Sequence, residues 1–254
     1  MSADRERVLT QAFVSIANSM ADGVDVVELL SGLTKDCAKL LDIASVGLLL
    51  ADPHGGLHVL AASSEPTREL EIFQVQREQG PCVECYNTGQ PVNVDDLKAE
   101  AGRWPDFVAA ALAAGFASVH TVPMRLRDTV LGALGLFGTR TGLLAEDDLA
   151  LAQALAHVAS IAIVADKAAS DQATINHQLQ RALDSRVIIE QAKGVLAQLG
   201  NLDMEGSFNV LRRYARDHNE RLSDLARQVV TREMPPEQVL THSQTALSDR
   251  RSRE

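Results

Sequence analysis

Residues 179–230, LQRALDSRVIIEQAKGVLAQLGNLDMEGSFNVLRRYARDHNERLSDLARQVV, decide the fold of the C-terminal part of the chain. Gly200-Asn201 and Asn219 divide the stretch into three segments, because glycine and asparagine commonly end helices. In the second and third segments apolar residues recur at helical spacing: Phe208, Leu211, Tyr214, Ala215, Leu225, Ala226, Val229 and Val230. The stretch therefore predicts three helices that pack on one another.

The ends of these helices are marked by capping residues and prolines. Asp203 should begin the second helix and Ser223 should cap the third, since both side chains can accept hydrogen bonds from free N–H groups. Met234-Pro235-Pro236 should stop the third helix, because proline cannot continue one. Residues 235–254 are polar and are predicted to form a loose tail.

A long helical segment precedes this stretch. Between residues 144 and 199 no glycine or proline occurs except Gly194. Apolar residues follow a 4-3 spacing there, which predicts pairing in a coiled coil: Leu151, Leu155, Val158, Ala162, Ala165 and Ala169. We therefore expect a connecting coiled-coil helix at 167–178 and a parallel homodimer. The alternative is one helix packed on a sheet, followed by a plain linker.

The N-terminal part alternates helical stretches with short strands. Helices are expected near residues 4–20, 26–41, 68–76 and 103–114, and strands at 43–51, 57–63, 91–94, 117–126 and 129–138. Tight turns join the first two strands and the last two as hairpins. Hairpins with flanking helices predict an antiparallel sheet covered by helices, so the fold class is α+β.

Composition narrows the class of protein. Hydrophobic residues make up 46% and charged residues 23%, so the chain can build a core and is not a disordered acidic protein. We expect that no apolar run reaches membrane-spanning length, and the N-terminus lacks a signal-peptide pattern, which predicts a cytoplasmic protein without a membrane partner. Three cysteines do not make a disulfide framework.

Charge is unevenly distributed along the chain. Residues 1–169 carry 12 lysines and arginines against 22 acidic residues, whereas residues 170–234 carry 9 of each. The segment 170–234 therefore lacks the anionic excess that would repel a polyanion. A polyanionic partner is permitted there and disfavoured at the N-terminal part.

The stretch 179–230 resembles the ANTAR domain of transcription antitermination regulators. The matching motifs occur in all three helices: Ala182-x-x-x-Arg186, Gln191-Ala192-Lys193-Gly194-x-Leu196, Leu211-Arg212-x-Tyr214-Ala215 and Leu222-Ser223-x-x-Ala226. Gly206-Ser207 departs from the family, which usually has alanine shortly before the phenylalanine. The resemblance implies an RNA-binding domain at 179–234.

Residues 25–165 are similar to a GAF domain of the kind joined to ANTAR in actinobacterial proteins. Gly80-Pro81-Cys82, Thr88-Gly89-x-Pro91-Val92, Arg103-Trp104-Pro105 and Leu131-Gly132-x-Leu134 carry this resemblance. It implies a sensor domain over 1–166, with its flanking helices, that responds to an unknown small molecule or to a redox signal. No cofactor is specified.

Together the two resemblances imply an RNA-binding antitermination regulator. Its dimer would bind paired stem-loops near terminators, with RNA polymerase as a further partner. The residues expected to contact RNA are Arg186, Gln191, Lys193, Gly194, Arg212, Arg213, Arg216 and Ser223. From charge alone, a solvated face paired with Glu190, Asp217 and Glu220 is the favoured interpretation of these arginines and lysines, and the motif match reverses this preference.

Gly194 and the two cysteines of the CxxC motif, Cys82 and Cys85, suggest further chemical roles. Gly194 costs its helix about 1 kcal/mol relative to alanine, which suggests close approach by another helix or by RNA. Cys82 and Cys85 are candidate redox-sensing residues, because a position near a helix start lowers a thiolate pKa. Buried, idle thiols are the alternative.

Two other classes of function are compatible with parts of the sequence. A GAF fold can be a redox enzyme of the free methionine sulfoxide reductase type, and three short helices can form a DNA-binding helix-turn-helix. No catalytic motif was found, and a structural zinc would need four ligands where one CxxC is present. We therefore expect neither catalysis nor a metal.

Overall fold

The structure of the chain is a computed structural model that describes residue 14, residues 25–164 and residues 172–242, the last without the side chains of 172–178. Two compact units divide these residues. The first comprises the described residues between 29 and 182, and the second comprises residues 25–28 and 183–242. The helix expected at 4–20 lies outside the described residues, apart from Val14, which is helical.

The first unit is built on a five-stranded antiparallel sheet. Its strands are β1 (Ser45–Ala51), β2 (Leu57–Ala62), β3 (Val92–Val94), β4 (Ser118–Leu126) and β5 (Thr129–Gly138), in the order β2-β1-β5-β4-β3. All four pairings are antiparallel, and both expected hairpins are present. The predicted α+β sheet is thus confirmed.

Helices of the first unit pack on this sheet. They are α1 (Val26–Leu40), α2 (Glu65–Arg77), α3 (Pro81–Thr88), a 3-10 turn (Leu97–Glu100), α4 (Pro105–Ala113) and α5 (Glu146–Val164). Helix α2 packs on β1 and β2, whereas α3 and α5 both pack on β4 and β5. Inside the core between the sheet and α2–α4 lie Trp104, Phe107, Phe116 and Phe137.

Helix α5 tests the expectation that no apolar run of the chain reaches membrane-spanning length. By length and composition α5 could cross a membrane, so the prediction that no apolar run reaches that length is wrong. The same helix packs on the sheet, where Gln153 donates to the Pro123 carbonyl at 3.0 Å. It buries one side of small and apolar residues: Ala152, Leu155, Ala156, Ala159, Ser160, Ile163 and Val164.

The connecting segment is described only in part. Helix α6 (Gln172–Gly200) begins after residues 165–171, which are outside the described residues. The expected coiled coil at 167–178 is therefore described only from residue 172 onward, and there without side chains. The coiled coil and the dimer therefore stay predictions.

The second unit contains three helices as expected and one more. Helices α6, α7 (Met204–Asp217) and α8 (Leu222–Thr231) correspond to the three predicted segments. Asp203 caps α7, accepting from the Gly206 N–H at 2.6 Å, so that prediction is confirmed. Residues 236–242 are helical and bury Val239 completely, so this part of the expected loose tail belongs to the fold.

Candidate nucleic-acid interface and sensor core

Helix α7 presents basic side chains because its apolar residues occupy the opposite side. Phe208, Leu211, Tyr214 and Ala215 are buried. The arginines at 212, 213 and 216 fall between these positions around the helix, which leaves Arg216 exposed and Arg213 partly exposed. This amphipathic spacing gives α7 a basic outer surface.

Two of these arginines also form ion pairs within the second unit. Arg212 Nε donates to Glu28 Oε1 at 2.6 Å, and Arg213 Nε lies 3.8 Å from Asp217 Oδ2. The Arg212 side chain is 36% exposed, and Arg213 30%. The exposed Arg213–Asp217 pair contributes little to stability, so the Arg213 guanidinium can exchange this carboxylate for a phosphate at low cost. The Glu28 side chain is only 10% exposed, so Arg212 compensates a buried carboxylate and is less easily released.

Arg186 and Lys193 share one carboxylate on α6. Glu190 Oε1 lies 2.7 Å from the Arg186 guanidinium and 2.9 Å from Lys193 Nζ. The side chains of Arg186, Glu190 and Lys193 are only 12%, 18% and 10% exposed. Lys193 Nζ also lies 5.7 Å from the centre of the Phe208 ring. This Glu190 network ties α6 to α7 and holds two of the predicted RNA-binding cations inside the fold.

Gln191 and Gly194 lie on the exposed side of α6, three residues apart. A Cβ atom added at Gly194 would meet no described atom within 4 Å, so the expected close approach by another helix is not found in this part of the chain. The cost of this glycine is therefore not explained by helix packing. Space is left there for a partner.

Ser223 does not cap α8, contrary to expectation. Arg221 occupies the N-cap position, without a side-chain hydrogen bond, and Ser223 is the second residue of the helix. Its exposed fraction is 9%, so only a small part of Ser223 faces solvent. Its proposed contact with RNA has no support from the cap geometry.

The first unit buries a cluster of polar side chains that the sequence did not suggest. Glu71 and Gln74 of α2 are fully buried, as is Cys82 of α3. Gln74 Nε2 donates to Glu71 Oε2 at 2.9 Å, and Gln74 Oε1 accepts from the Cys82 N–H at 3.0 Å. The Cys82 thiol donates to Glu71 Oε1 at 3.4 Å. Glu71, Gln74 and Cys82 thus form a closed hydrogen-bonded network, the Glu71 cluster.

Paired glycines in the sheet make room for this cluster. Gly47 of β1 and Gly135 of β5 are register partners on neighbouring strands. A Cβ atom at Gly135 would lie 2.7 Å from Cys82 Sγ and 2.9 Å from Glu71 Oε1. A Cβ atom at Gly47 would also collide with the Glu71 side chain. The absence of two side chains creates the recess that Glu71 fills.

Burial controls the protonation of this cluster. Desolvation raises the pKa of Glu71 to about 8, against the lowering effect of the hydrogen bond from Cys82. In the part of the chain that the structure describes, its carboxyl group is hydrogen-bonded to Gln74 and Cys82, neither of which carries a positive charge. Glu71 is therefore largely protonated at neutral pH.

The cysteines do not have the acidity expected of redox sensors. Desolvation, reinforced by Glu71, raises the pKa of Cys82 far above its ordinary value, and desolvation raises that of Cys85 to about 11. The prediction of a lowered thiolate pKa at the start of α3 is therefore wrong, because burial outweighs the helix terminus. A redox role for Cys82 and Cys85 stays an untested prediction.

Among the described residues, no group of three or more histidine, cysteine, aspartate or glutamate side chains could hold a metal ion.

The Glu71 cluster was not predicted from the sequence because Glu71 and Gln74 look like ordinary solvated positions on a polar helix. The glycine at both paired strand positions was the available signal.

A unit with a buried polar cluster and a second, helical unit with a basic outer surface fit a regulator that has separate input and output domains. Family models match both parts: a GAF domain at residues 23–164 and an ANTAR domain at residues 177–230. The chain belongs to the GAF–ANTAR family of regulators. No curated protein matches it.

Solved structures share the fold of the first unit. The GAF domain of an Acinetobacter phosphoenolpyruvate-protein phosphotransferase is 15% identical with a TM-score of 0.51, over 68% of this chain and 99% of that one. A phycocyanobilin-bound GAF domain from a cyanobacterial phytochrome is 18% identical (TM-score 0.47; 64% and 95% covered). A free methionine-R-sulfoxide reductase from Thermoplasma acidophilum is 19% identical (TM-score 0.42; 54% and 94% covered). At these identities the likeness concerns the fold alone.

Proposed function

We propose that the protein regulates transcription antitermination by binding RNA through its ANTAR domain under control of its GAF domain. The observation that carries this proposal is the ANTAR match at 177–230 combined with the basic outer surface of α7. ANTAR domains bind RNA and GAF domains bind small-molecule signals. The target class is paired stem-loops near terminators.

The structure supports different roles for the candidate RNA-binding residues. Arg213 and Arg216 are accessible to phosphates, and their planar guanidinium groups can also stack on loop bases. Arg212 adds positive charge beside them while it is bonded to Glu28. Gln191 and Gly194 offer an exposed, unobstructed stretch of α6 against which an RNA backbone could lie. Arg186 and Lys193 are held by Glu190, so we expect them to position α6 against α7 as well as to add positive charge.

The proposed input is a small molecule that acts on the first unit. Binding changes RNA affinity only if the ligand prefers one of two states of the protein. The expected coupling is about 1–3 kcal/mol. We propose further that the chain acts as a homodimer in the cytoplasm, and that RNA polymerase is a partner of the bound complex.

Crosslinking the protein to RNA in cells, followed by sequencing, identifies the targets. Recovery of adjacent short stem-loops upstream of terminators supports the proposal. The identified RNA is then compared in vitro with duplex DNA of the same sequence. Equal affinity for the two would instead support a DNA-binding regulator.

Variants of α7 test the interface directly. Arg213→Ala and Arg216→Ala should each weaken RNA binding by about 1–3 kcal/mol and lower the salt dependence by about 0.7–0.9 per lost phosphate contact. The matched control is Arg140→Ala, which removes an exposed arginine from the first unit. A loss of binding that equals the control, or that tracks a loss of helicity, would contradict the proposed interface.

A further inference from the structure

The second unit contains an open pocket beside the basic surface of α7, since Asp217 contacts both Arg213 and the pocket residue His242. Its volume is about 610 Å³, within the range of small-molecule sites. Residues from the end of α7 and from the segment 235–242 line it: Tyr214, His218, Pro235, Glu237, Gln238, Thr241 and His242. Most of these residues lie beyond residue 230, where the ANTAR match ends.

Three rings form the wall of this pocket. The His218 imidazole stacks on Tyr214, with ring centres 4.0 Å apart and planes 12° from parallel. The His242 ring meets both edge-on, at 5.2 Å from Tyr214 and 5.1 Å from His218. Tyr214 is buried, whereas His218 is exposed. The outer end of the stack is thus a planar ring open to solvent.

Hydrogen bonds fix the orientation of each ring. His218 Nδ1 donates to the Tyr214 carbonyl oxygen at 2.9 Å, which leaves its Nε2 outside this bond. His242 Nε2 lies 2.8 Å from Asp217 Oδ2, and this bond holds the pKa of Asp217 below its usual range. The Tyr214 hydroxyl donates to Met234 Sδ at 3.7 Å. The rings are therefore preorganised, which lowers the entropy cost of binding a planar ligand.

The charges around the pocket favour a base over a phosphate. The Glu237 carboxylate lines the pocket and would repel an anion, whereas the Asp217 carboxylate is bonded to His242 and lies 3.8 Å from Arg213 Nε. Carboxylate and side-chain amide groups are suited to accept from exocyclic amines of bases, as glutamate does with cytosine and glutamine with adenine. Glu237 and Gln238 supply these two groups, and both are exposed.

We infer that the Tyr214–His218–His242 pocket binds one unpaired adenine or cytosine of an RNA loop by stacking on His218. The inference rests on the proposed RNA-binding function, and it adds a base-specific site to the phosphate-binding surface of α7. Unstacked loop bases are the part of RNA that proteins read by stacking and edge contacts.

Mononucleotides test the pocket without any RNA target. Adenosine 5′-monophosphate, uridine 5′-monophosphate and ribose 5-phosphate are titrated into the full chain carrying labelled histidine, and the ring resonances are followed by NMR. We expect adenosine 5′-monophosphate to shift the His218 and His242 signals and ribose 5-phosphate to leave them in place. Equal shifts with both, or none with adenosine 5′-monophosphate, would overturn the inference. Equal shifts with the uridine nucleotide would remove the base preference.

The RNA test uses His218→Ala, with His54→Ala as control because His54 is an exposed histidine of the first unit. Stacking on one ring predicts at least about fivefold weaker binding for His218→Ala to the RNA recovered from cells, and no change for the control. Wild-type binding that survives His218→Ala unchanged overturns the pocket and leaves the proposed function standing. If the wild-type chain binds no RNA, the proposed function fails, and the mononucleotide titration still decides the pocket.

Discussion

The buried polar cluster of the first unit differs from the accessible polar side chains on the surface of the second. In the first unit Glu71, Gln74 and Cys82 are sealed inside and satisfy one another, whereas in the second Arg213, Arg216 and His218 remain accessible at the surface. A buried polar network responds to protons and to ligands that open the core, because each lost partner is costly. Exposed polar side chains respond to a partner that binds at the surface. The difference matches an input domain and an output domain.

The largest expected effect comes from pH and Glu71. Its pKa rises from 4.5 in the unfolded chain to about 8 in the fold, so the folded state binds more protons between these values. Stability of the first unit should therefore fall as pH rises from about 4.5 to 8, by up to about 5 kcal/mol, and change no further above that. Thermal unfolding followed by Trp104 fluorescence reports this unit, since Trp104 is the single tryptophan and lies in its core.

Glu71→Gln should abolish most of that pH dependence, because an amide can still accept the Cys82 hydrogen bond but cannot ionise. Glu69→Gln on the same helix is the control, since Glu69 is exposed. If the two variants retain equal pH dependence, the Glu71 cluster does not set the response of the first unit.

Breaking the Glu190 network should have the next largest effect. Glu190→Ala leaves Arg186 and Lys193 mostly buried beside no carboxylate at that position, and should destabilise the second unit by about 1–3 kcal/mol. Amide hydrogen exchange along α6 measures this. A Glu190→Ala variant that stays stable and binds RNA more tightly would show that Arg186 and Lys193 serve RNA binding and not the fold. The polar side chains of the second unit would then differ even more from the buried Glu71 cluster.

Gly135→Ala tests whether the recess in the sheet is as full as the distances indicate. An added methyl group would press on Cys82 Sγ and Glu71, and overpacking of this kind costs about 1–3 kcal/mol. The melting transition followed by Trp104 should move to lower temperature. An unchanged melting temperature would mean that the side chains of the Glu71 cluster can move to accommodate the methyl group, and that the recess is less tightly packed than the distances indicate.

Gly194→Ala should have the smallest effect, with the opposite sign. The added Cβ meets open space, so the second unit should gain up to about 1 kcal/mol from better helix propensity. RNA affinity measured on the same variant separates two cases. Weaker binding places RNA against this part of α6, and unchanged binding removes Gly194 and the exposed side of α6 from the interface.

Periodicity in the sequence predicted the elements well and the polar interior poorly. The apolar runs of β4 and β5 with the tight turn between them, and the caps and breaks around α7, are local signals, which is why the strands and Asp203 were predictable. The burial of Glu71 depends on glycines 24 and 64 residues away along the chain, and no local pattern encodes it.

In the second unit, too, the sequence did not predict contacts between residues that are distant or buried: the helix after α8 and the role of Glu190 were both missed. Met234-Pro235-Pro236 was expected to stop α8, but the helix already ends at Thr231, where Arg232 adopts the left-handed conformation. The chain then turns back as a helix with Val239 fully buried. Likewise, charge and motif identified Arg186 and Lys193 as cations of interest, but their shared partner Glu190 is one helical turn from each and was weighed only as a surface pair.

The helix at 236–242 has a practical consequence for anyone who divides this chain into pieces. A fragment cut at residue 230, where the ANTAR match ends, would lose Val239, as well as Leu240, which lies against Gly200 at the end of α6. Its newly bared apolar surface would favour aggregation. Expression boundaries, protease-resistant cores and domain exchanges with other output modules should therefore be set beyond residue 242, and not where the family's common sequence ends.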